Sequence, residues 1–411
     1  MADPARAVPW QTVANLGLAQ TVAWASSYYL PAMLATPMAA DLGVTSATVF
    51  AAFSLALLVS ALLGHAAGRA IDRHGGRPVL MASNLVFALG LCAMSQAQGQ
   101  LGLFAAWLLM GLAMGSGLYE AAFATVVRLH GRDARQAITG ITLIAGFAST
   151  VGWPLTTLLE QHGGWRGACL AWAGLHLLIA LPLNWRLPGL PGQHQHASTD
   201  AETTPPQADS ARGSATSASA TQQARARWTT ALLALVFAIM GFAGTAMAAH
   251  LPRLLQAHGS SLAAAVAVGA LIGPAQVGAR LLEYGLLRRA HPLWVARVAA
   301  AMHPMGALAL LALGPPAALC FGLLHGAGNG ILTIVKGTLP LALFGPQGYG
   351  QRMGVLMAPT RVAQALAPWL FGLCLDRFGA GSLWLSAALG ALAVAALMLV
   401  PKPSAAASGT P

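Results

Sequence analysis

Apolar residues in this chain come in long unbroken runs, not in the half-buried alternation of a sheet. Twelve such runs occupy residues 12–35, 47–66, 78–97, 101–127, 137–159, 165–185, 229–250, 262–286, 292–313, 317–344, 354–375 and 382–400. A helix of about 20 apolar residues spans the hydrocarbon layer of a bilayer, so each run predicts one transmembrane helix. The period-two pattern of a membrane β-barrel is absent. The predicted fold class is an all-α membrane protein with twelve crossings.

One stretch breaks the pattern. Residues 187–228 are rich in Ala, Ser, Thr, Gln and Pro, including Pro205-Pro206. This composition predicts a mostly disordered, cytoplasmic linker. Six runs lie on each side, giving an N-terminal bundle (1–186) and a C-terminal bundle with a short tail (229–411). The halves echo one another. Gly140 and Gly354, Pro154 and Pro368, and Gly64 and Gly278 share one offset; Gly115 and Gly117 stand to Gly328 and Gly330 at an offset one residue shorter. Such a duplication predicts two pseudo-symmetric bundles with a substrate site near the midplane between them.

Composition narrows the class. Only 8% of the 411 residues are charged and 56% are hydrophobic, against roughly 25% charged in a soluble domain. A soluble enzyme and a disordered chain are both excluded. The net charge of +11 would point to nucleic acid in a soluble protein. Here, with the N-terminus inside, 15 of the 22 basic residues fall in cytoplasmic segments and three, Arg166, Arg253 and Arg377, on the opposite side. That is the positive-inside asymmetry of a plasma or bacterial inner membrane protein with both termini cytoplasmic, and nucleic acid is not an expected partner. No charged-then-apolar leader with a cleavage site precedes the first run, so the N-terminus is expected to be retained. No Walker loop, H-E-x-x-H or G-x-S-x-G occurs, so neither ATP-driven transport nor hydrolysis is supported. No cofactor and no enzymatic activity are expected.

Ionisable residues inside a membrane are costly, about 2.5–3.5 kcal/mol on insertion scales, and are functional candidates by default. Two acids fall inside the runs: Glu120 in the fourth and Glu283 near the end of the eighth. The basic candidates are Arg280 in the eighth, Lys336 in the tenth and Arg361 in the eleventh. Arg280 and Glu283, at i and i+3, share a helix face; they predict either an anion site with a competing proton carrier or a static ion pair. Arg361 lies too deep to reach water easily and needs a ligand anion or an acid on a neighbouring helix. His325, Asn329 and Lys336 make a polar stripe at helical spacing. Trp24 and Tyr28, with Pro31 following, predict an aromatic cavity wall at a bent helix or plain core packing. Cys92, Cys169, Cys320 and Cys374 show no C-x-x-C spacing and read as small apolar residues, with a soft-metal site as the weaker alternative.

The segment Gly68-Arg69-Ala70-Ile71-Asp72-Arg73-His74-Gly75-Gly76-Arg77-Pro78 resembles the loop between the second and third helices of major facilitator superfamily transporters, G-x-x-x-D-R-x-G-R-R/K, with Gly76 in place of one basic residue. Gly164-Trp165-Arg166 before the sixth run is similar to the same superfamily. The resemblance implies that fold, transport by alternating access, and a gating motif of Gly68, Asp72, Arg73, Gly75 and Arg77. A basic residue on both the eighth and eleventh runs, with Tyr119 on the fourth, also resembles the oxalate/formate and monocarboxylate branches, where basic side chains hold substrate carboxylates. The tyrosines of that pattern are absent from the tenth run.

The expected function is secondary active transport of a small organic anion, by a monomer in the lipid bilayer, with proton coupling or exchange. Arg280, Arg361, Tyr119, Trp24, Tyr28 and Asn329 are the expected substrate contacts, and Glu120, Glu283 and His325 the expected proton carriers; no resident metal is expected. Two alternatives stand beside it. One is efflux of a drug or metalloid, for which the Gly146, Gly152 and Pro154 stretch of the fifth run speaks. The other is a sensor that transports nothing.

Overall fold

The structure is a computed structural model that describes residues 9–130, 134–188, 216–283, 290–344 and 349–401. Regular structure among these residues is helical throughout. The helices are α1 (Trp10–Ser26), α2 (Leu30–Leu42), α3 (Ser46–His74), α4 (Gly76–Ser95), α5 (Gly99–Gly117), α6 (Tyr119–His130), α7 (Ala134–Ala145), α8 (Ala148–Leu175) and α9 (Leu181–Trp185) in the first half. The second half holds α10 (Thr216–Ala257), α11 (Leu262–Ala270), α12 (Ile272–Leu282), α13 (Pro292–Leu313), α14 (Ala318–Phe344), α15 (Tyr349–Phe378) and α16 (Leu383–Leu399).

Nine helical stretches among the described residues are long and apolar enough to cross a membrane. Two of them, Ala137–Trp185 and Val355–Leu399, run to 49 and 45 residues, far more than one crossing of about 20 requires. Each reverses at a glycine with positive φ: Gly164 (φ 63°) inside α8 and Gly379 (φ 51°) after α15. These are backbone conformations that glycine adopts without a Cβ clash. The first crossing is divided between α1 and α2 by an irregular break at 27–29, with Pro31 in the first turn of α2, where a missing N–H costs nothing. Twelve crossings result, in agreement with the apolar pattern.

Most of the expected linker, 189–215, lies outside the described residues, as does the tail from 402. The last part of the linker departs from expectation: α10 begins at Thr216, not after residue 228. Its first turns carry Ala, Gln and Arg, good helix formers, and they extend the apolar helix that follows.

The two halves repeat one packing scheme. Gly111 on α5 lies where a Cβ would stand 2.7 Å from the Ala56 carbonyl oxygen on α3, and Gly326 on α14 lies 2.9 Å by the same measure from the Ile272 oxygen that opens α12. In each half the fourth crossing thus rests backbone-to-backbone on the second. Small residues at such places let dispersion contacts form where lipid offers no hydrophobic drive. Trp107 and Trp172 are fully buried in the first half. Leu62, Leu89, Leu101, Leu178 and Trp384 are exposed and make the apolar outer surface that lipid requires.

The halves meet at the end of the bundle opposite the Gly75 turn. Tyr28 Oη donates to Thr245 Oγ1 (2.7 Å), Thr150 Oγ1 to the Ala270 carbonyl (2.6 Å), and the Trp369 backbone N–H to Ser54 Oγ (3.2 Å). The Phe50 and His250 rings lie 3.8 Å apart. Trp153 from the first half joins Leu251, Leu254 and Phe371 of the second in one buried cluster. Two ion pairs brace this end within the halves, Arg166–Asp41 and Arg253–Asp376, each at 2.8 Å.

Gly111→Val and Gly326→Val are each expected to destabilise the protein by about 1–3 kcal/mol or more through overpacking against a backbone that cannot yield. Gly278→Val, where a Cβ meets nothing within 4 Å, is expected to melt near wild type. Thermal unfolding in detergent micelles checks all three.

Candidate functional site

A central cavity of about 280 Å³ opens between the halves. The first half contributes aromatic side chains: Trp24 from α1, Tyr28 and Tyr29 from the break after it, Tyr119 and Phe123 from α6, and Trp153 from α8. They pack edge to face, tilted or, for Tyr119 on Phe123, stacked. Trp24 lies 5.0 Å from Tyr28 and 4.8 Å from Tyr119 between ring centres, and Tyr29 lies 6.0 Å from Trp153. Such offset and tilted arrangements are preferred by ring quadrupoles. Trp24 and Tyr28 are four apart, and the break at 27–29 brings Tyr29 inward beside them, where a continuous helix would turn it about 100° from Tyr28.

The second half contributes the polar wall. Gln276 and Arg280 come from one face of α12, and His325, Asn329 and Lys336 from one face of α14, with Thr245 of α10 and Gln364 of α15 beside them. Among the described residues, no Asp or Glu lines this cavity. Arg280 Nε donates to the Gly330 carbonyl at 3.3 Å. The three ion pairs among the described residues include neither Arg280 nor Lys336. Arg280 and Glu283 therefore form no pair; Glu283 ends α12 away from both cavities of this region.

A second cavity of about 270 Å³ shares Trp24, Tyr28, Tyr119 and Gln364 with the first as a common wall. Here Arg361 meets Glu120 across the halves, Nη2 to Oε1 at 3.4 Å. Arg361 thus has the neighbouring acid as its partner and does not join Arg280. The pair is 46% and 67% exposed, so water screens it and its net worth is small.

Asn329 and His325 are joined by a hydrogen bond, as their spacing predicts. His325 also faces His303 of α13, a partner from another helix that spacing cannot reveal. His176 sits apart, in a π-helical turn, bound to Ser26 Oγ and Asn84 Oδ1 inside the first half.

The glycine motif lies at the far end from the inter-half contacts. Gly75 takes φ 85° and closes α3 onto α4. The Arg128 side chain donates to the Asp72 carbonyl, so α6 braces the turn through backbone. Asp72 and Arg73 are exposed, Arg77 is half-buried, and a side chain at Gly68 would meet nothing. Gly76, where the resemblance expects a basic residue, packs against Thr125 with no room for a Cβ.

Lys336, Tyr29, Trp153, Gln276 and Gln364 were not among the expected substrate contacts, yet they line the cavity. A signal existed for two: Gln276 stands four residues before Arg280 and Gln364 three after Arg361, the spacing of a shared helix face.

A twelve-crossing, two-bundle architecture around a polar cavity defines a transporter. The Major Facilitator Superfamily model matches residues 16–335, and the chain belongs to that superfamily. It is an integral membrane protein. Among curated relatives, the purine ribonucleoside efflux pump NepI of Escherichia coli O1:K1 / APEC is 26% identical over 168 residues, 41% of this chain and 42% of the relative. The match thus spans about two-fifths of that pump's length. The fold is similar to that of the nucleoside transporter NupG (TM-score 0.75, 14% identity, 95% of this chain and 99% of that one). It is also similar to a D-xylose-proton symporter (TM-score 0.67, 13% identity, 95% and 96% covered).

Glu120→Gln removes the Arg361 partner. Unfolding in micelles is expected to shift by less than about 1 kcal/mol, as for an exposed pair. A larger loss would show that the pair holds the halves together.

Proposed function

We propose that this transporter carries a small organic anion, a carboxylate, in its central cavity. The observation that carries the reading is the pair of cations, Arg280 and Lys336, lining a cavity that no carboxylate among the described residues faces. Two unpaired cations at membrane depth are costly, and a substrate anion is the group that balances them. Charge-assisted hydrogen bonds to a carboxylate are the strong ones. The aromatic wall of Trp24, Tyr28, Tyr29 and Tyr119 suits an apolar body on the same substrate.

The cycle runs by alternating access. The basic residues of the Gly75 turn belong on the cytoplasmic side by the positive-inside rule, together with both termini. The contacts between halves then close the outer end, and the cavity faces inward. The turn of Gly68, Asp72, Arg73, Gly75 and Arg77 is the gating motif, tied to α6 through the Asp72 carbonyl. Glu120, with Arg361 as its counter-ion, is the foremost proton carrier; His325 lines the cavity as a second, and Glu283 at the helix end is a third. Arg361 contacts substrate only along the path through the second cavity. This arrangement is in keeping with the oxalate/formate and monocarboxylate resemblance.

A second reading, nucleoside transport or efflux, is favoured by the 168-residue similarity to the purine ribonucleoside efflux pump. Stacked aromatics beside the amides Gln276, Asn329 and Gln364 would suit a base and a ribose.

Uptake into proteoliposomes under a proton gradient separates the two. Saturable flux of 3-phenylpropionate is expected, and Arg280→Gln and Lys336→Gln should each reduce it about tenfold to a hundredfold, the worth of a charge-assisted bond. Saturable flux of inosine that both variants retain, with none of the acid, would establish the second reading.

A further inference from the structure

In the second half a chain of three side chains, the inner two buried, runs from the cavity into the protein. Asn329 Nδ2 lies 3.0 Å from His325 Nε2. His325 Nδ1 lies 3.1 Å from His303 Nδ1. His303 and His325 are 5% and 4% exposed, and His303 does not line the cavity. His303 Nε2 is buried without a hydrogen-bond partner and points at Gly328, where a Cβ would stand 2.9 Å from it.

Proton counting orients this chain. With the Asn329 amide oriented Nδ2 toward the ring, the amide donates and His325 Nε2 accepts. A neutral imidazole accepts at one nitrogen and donates at the other. His325 Nδ1 therefore carries the proton and donates to His303 Nδ1, and His303 carries its own proton on Nε2. The opposite order would require His325 to accept at both nitrogens. With Nδ2 engaged by the ring, Asn329 leaves Oδ1, an acceptor, on the cavity side beside Gly244, a Cβ at which would meet Oδ1 at 3.3 Å.

We infer that His303 is a positioning residue that holds Asn329 as an acceptor in the cavity, so that the transported anion carries a hydroxyl or N–H donor besides its carboxylate. This rests on the anion reading and sharpens it. Arg280 and Lys336 supply donors for the carboxylate, and Asn329 Oδ1 supplies the complementary acceptor. An analogue without the donor leaves that cavity acceptor without its substrate partner, which lowers its affinity. Gly328 belongs to the device: only a residue without a side chain leaves room for the His303 ring.

Two measurements decide it. Nitrogen-15 spectra of the histidines in purified protein should show His325 protonated on Nδ1 and His303 on Nε2; the reverse tautomers overturn the inference without reference to any ligand. Binding is then compared for 3-phenyllactate and 3-phenylpropionate, which differ by one hydroxyl. Wild type should prefer the hydroxy acid about tenfold. His303→Phe should abolish that preference, while His303→Gln, whose side-chain oxygen can accept from His325 Nδ1, should keep it. Equal binding of the two acids by wild type, or a preference that survives His303→Phe in folded protein, overturns the inference alone. Binding of neither acid overturns the anion reading together with it.

Discussion

Scarcity of carboxylates governs the interior of this protein. The chain has 22 basic residues and 11 acidic ones, and an unpaired charge at membrane depth must find a partner, water or a ligand. Asp41 and Asp376 are taken by Arg166 and Arg253 at one end of the bundle, and Glu120 is taken by Arg361. The central cavity receives none. Its two cations face aromatic rings, amides and hydroxyls, and its electrostatic character follows from where the few acids were placed elsewhere. The same shortage explains why hydrogen bonds to backbone carbonyls recur: Arg280 uses the Gly330 oxygen, Arg166 those of Ser95 and Ala97, and Arg297 that of Leu397.

The halves divide the labour of recognition unequally, although they share one packing scheme. Glycine contacts between the second and fourth crossings occur in both. The cavity residues do not repeat: rings come from α1, α6 and α8, whereas charged and amide groups come from α12, α14 and α15. Packing constrains the backbone approach and so preserves small residues in both copies. A cavity wall is free of that constraint and can specialise.

Much of the fold was legible in the sequence because the bilayer sets a single length for every crossing. The twelve runs could be counted from hydropathy, and residues on one helix face, such as His325 and Asn329, could be paired by spacing. Contacts between helices were not legible. Nothing in the local sequence places Glu120 against Arg361, 241 residues apart, or His303 against His325. The start of α10 at Thr216 was missed because a polar segment rich in Ala and Gln satisfies both a linker composition and a helix. Trp153 was missed for a related reason: an aromatic within an apolar run gives no sign of whether it faces lipid, core or cavity.

The bond from the Trp369 N–H to Ser54 Oγ bears on opening. It joins a main-chain donor, next to Pro368 in α15, to a side chain of the opposite half, so parting the halves at that end strips a polar group of its partner where little water is at hand. His250 holds the adjoining Pro368 carbonyl within its own half, so parting the halves must break this bond together with those of Tyr28 and Thr150. Opening this end therefore costs contacts, and one of them, the Ser54–Trp369 bond, lies outside the lining of the central cavity.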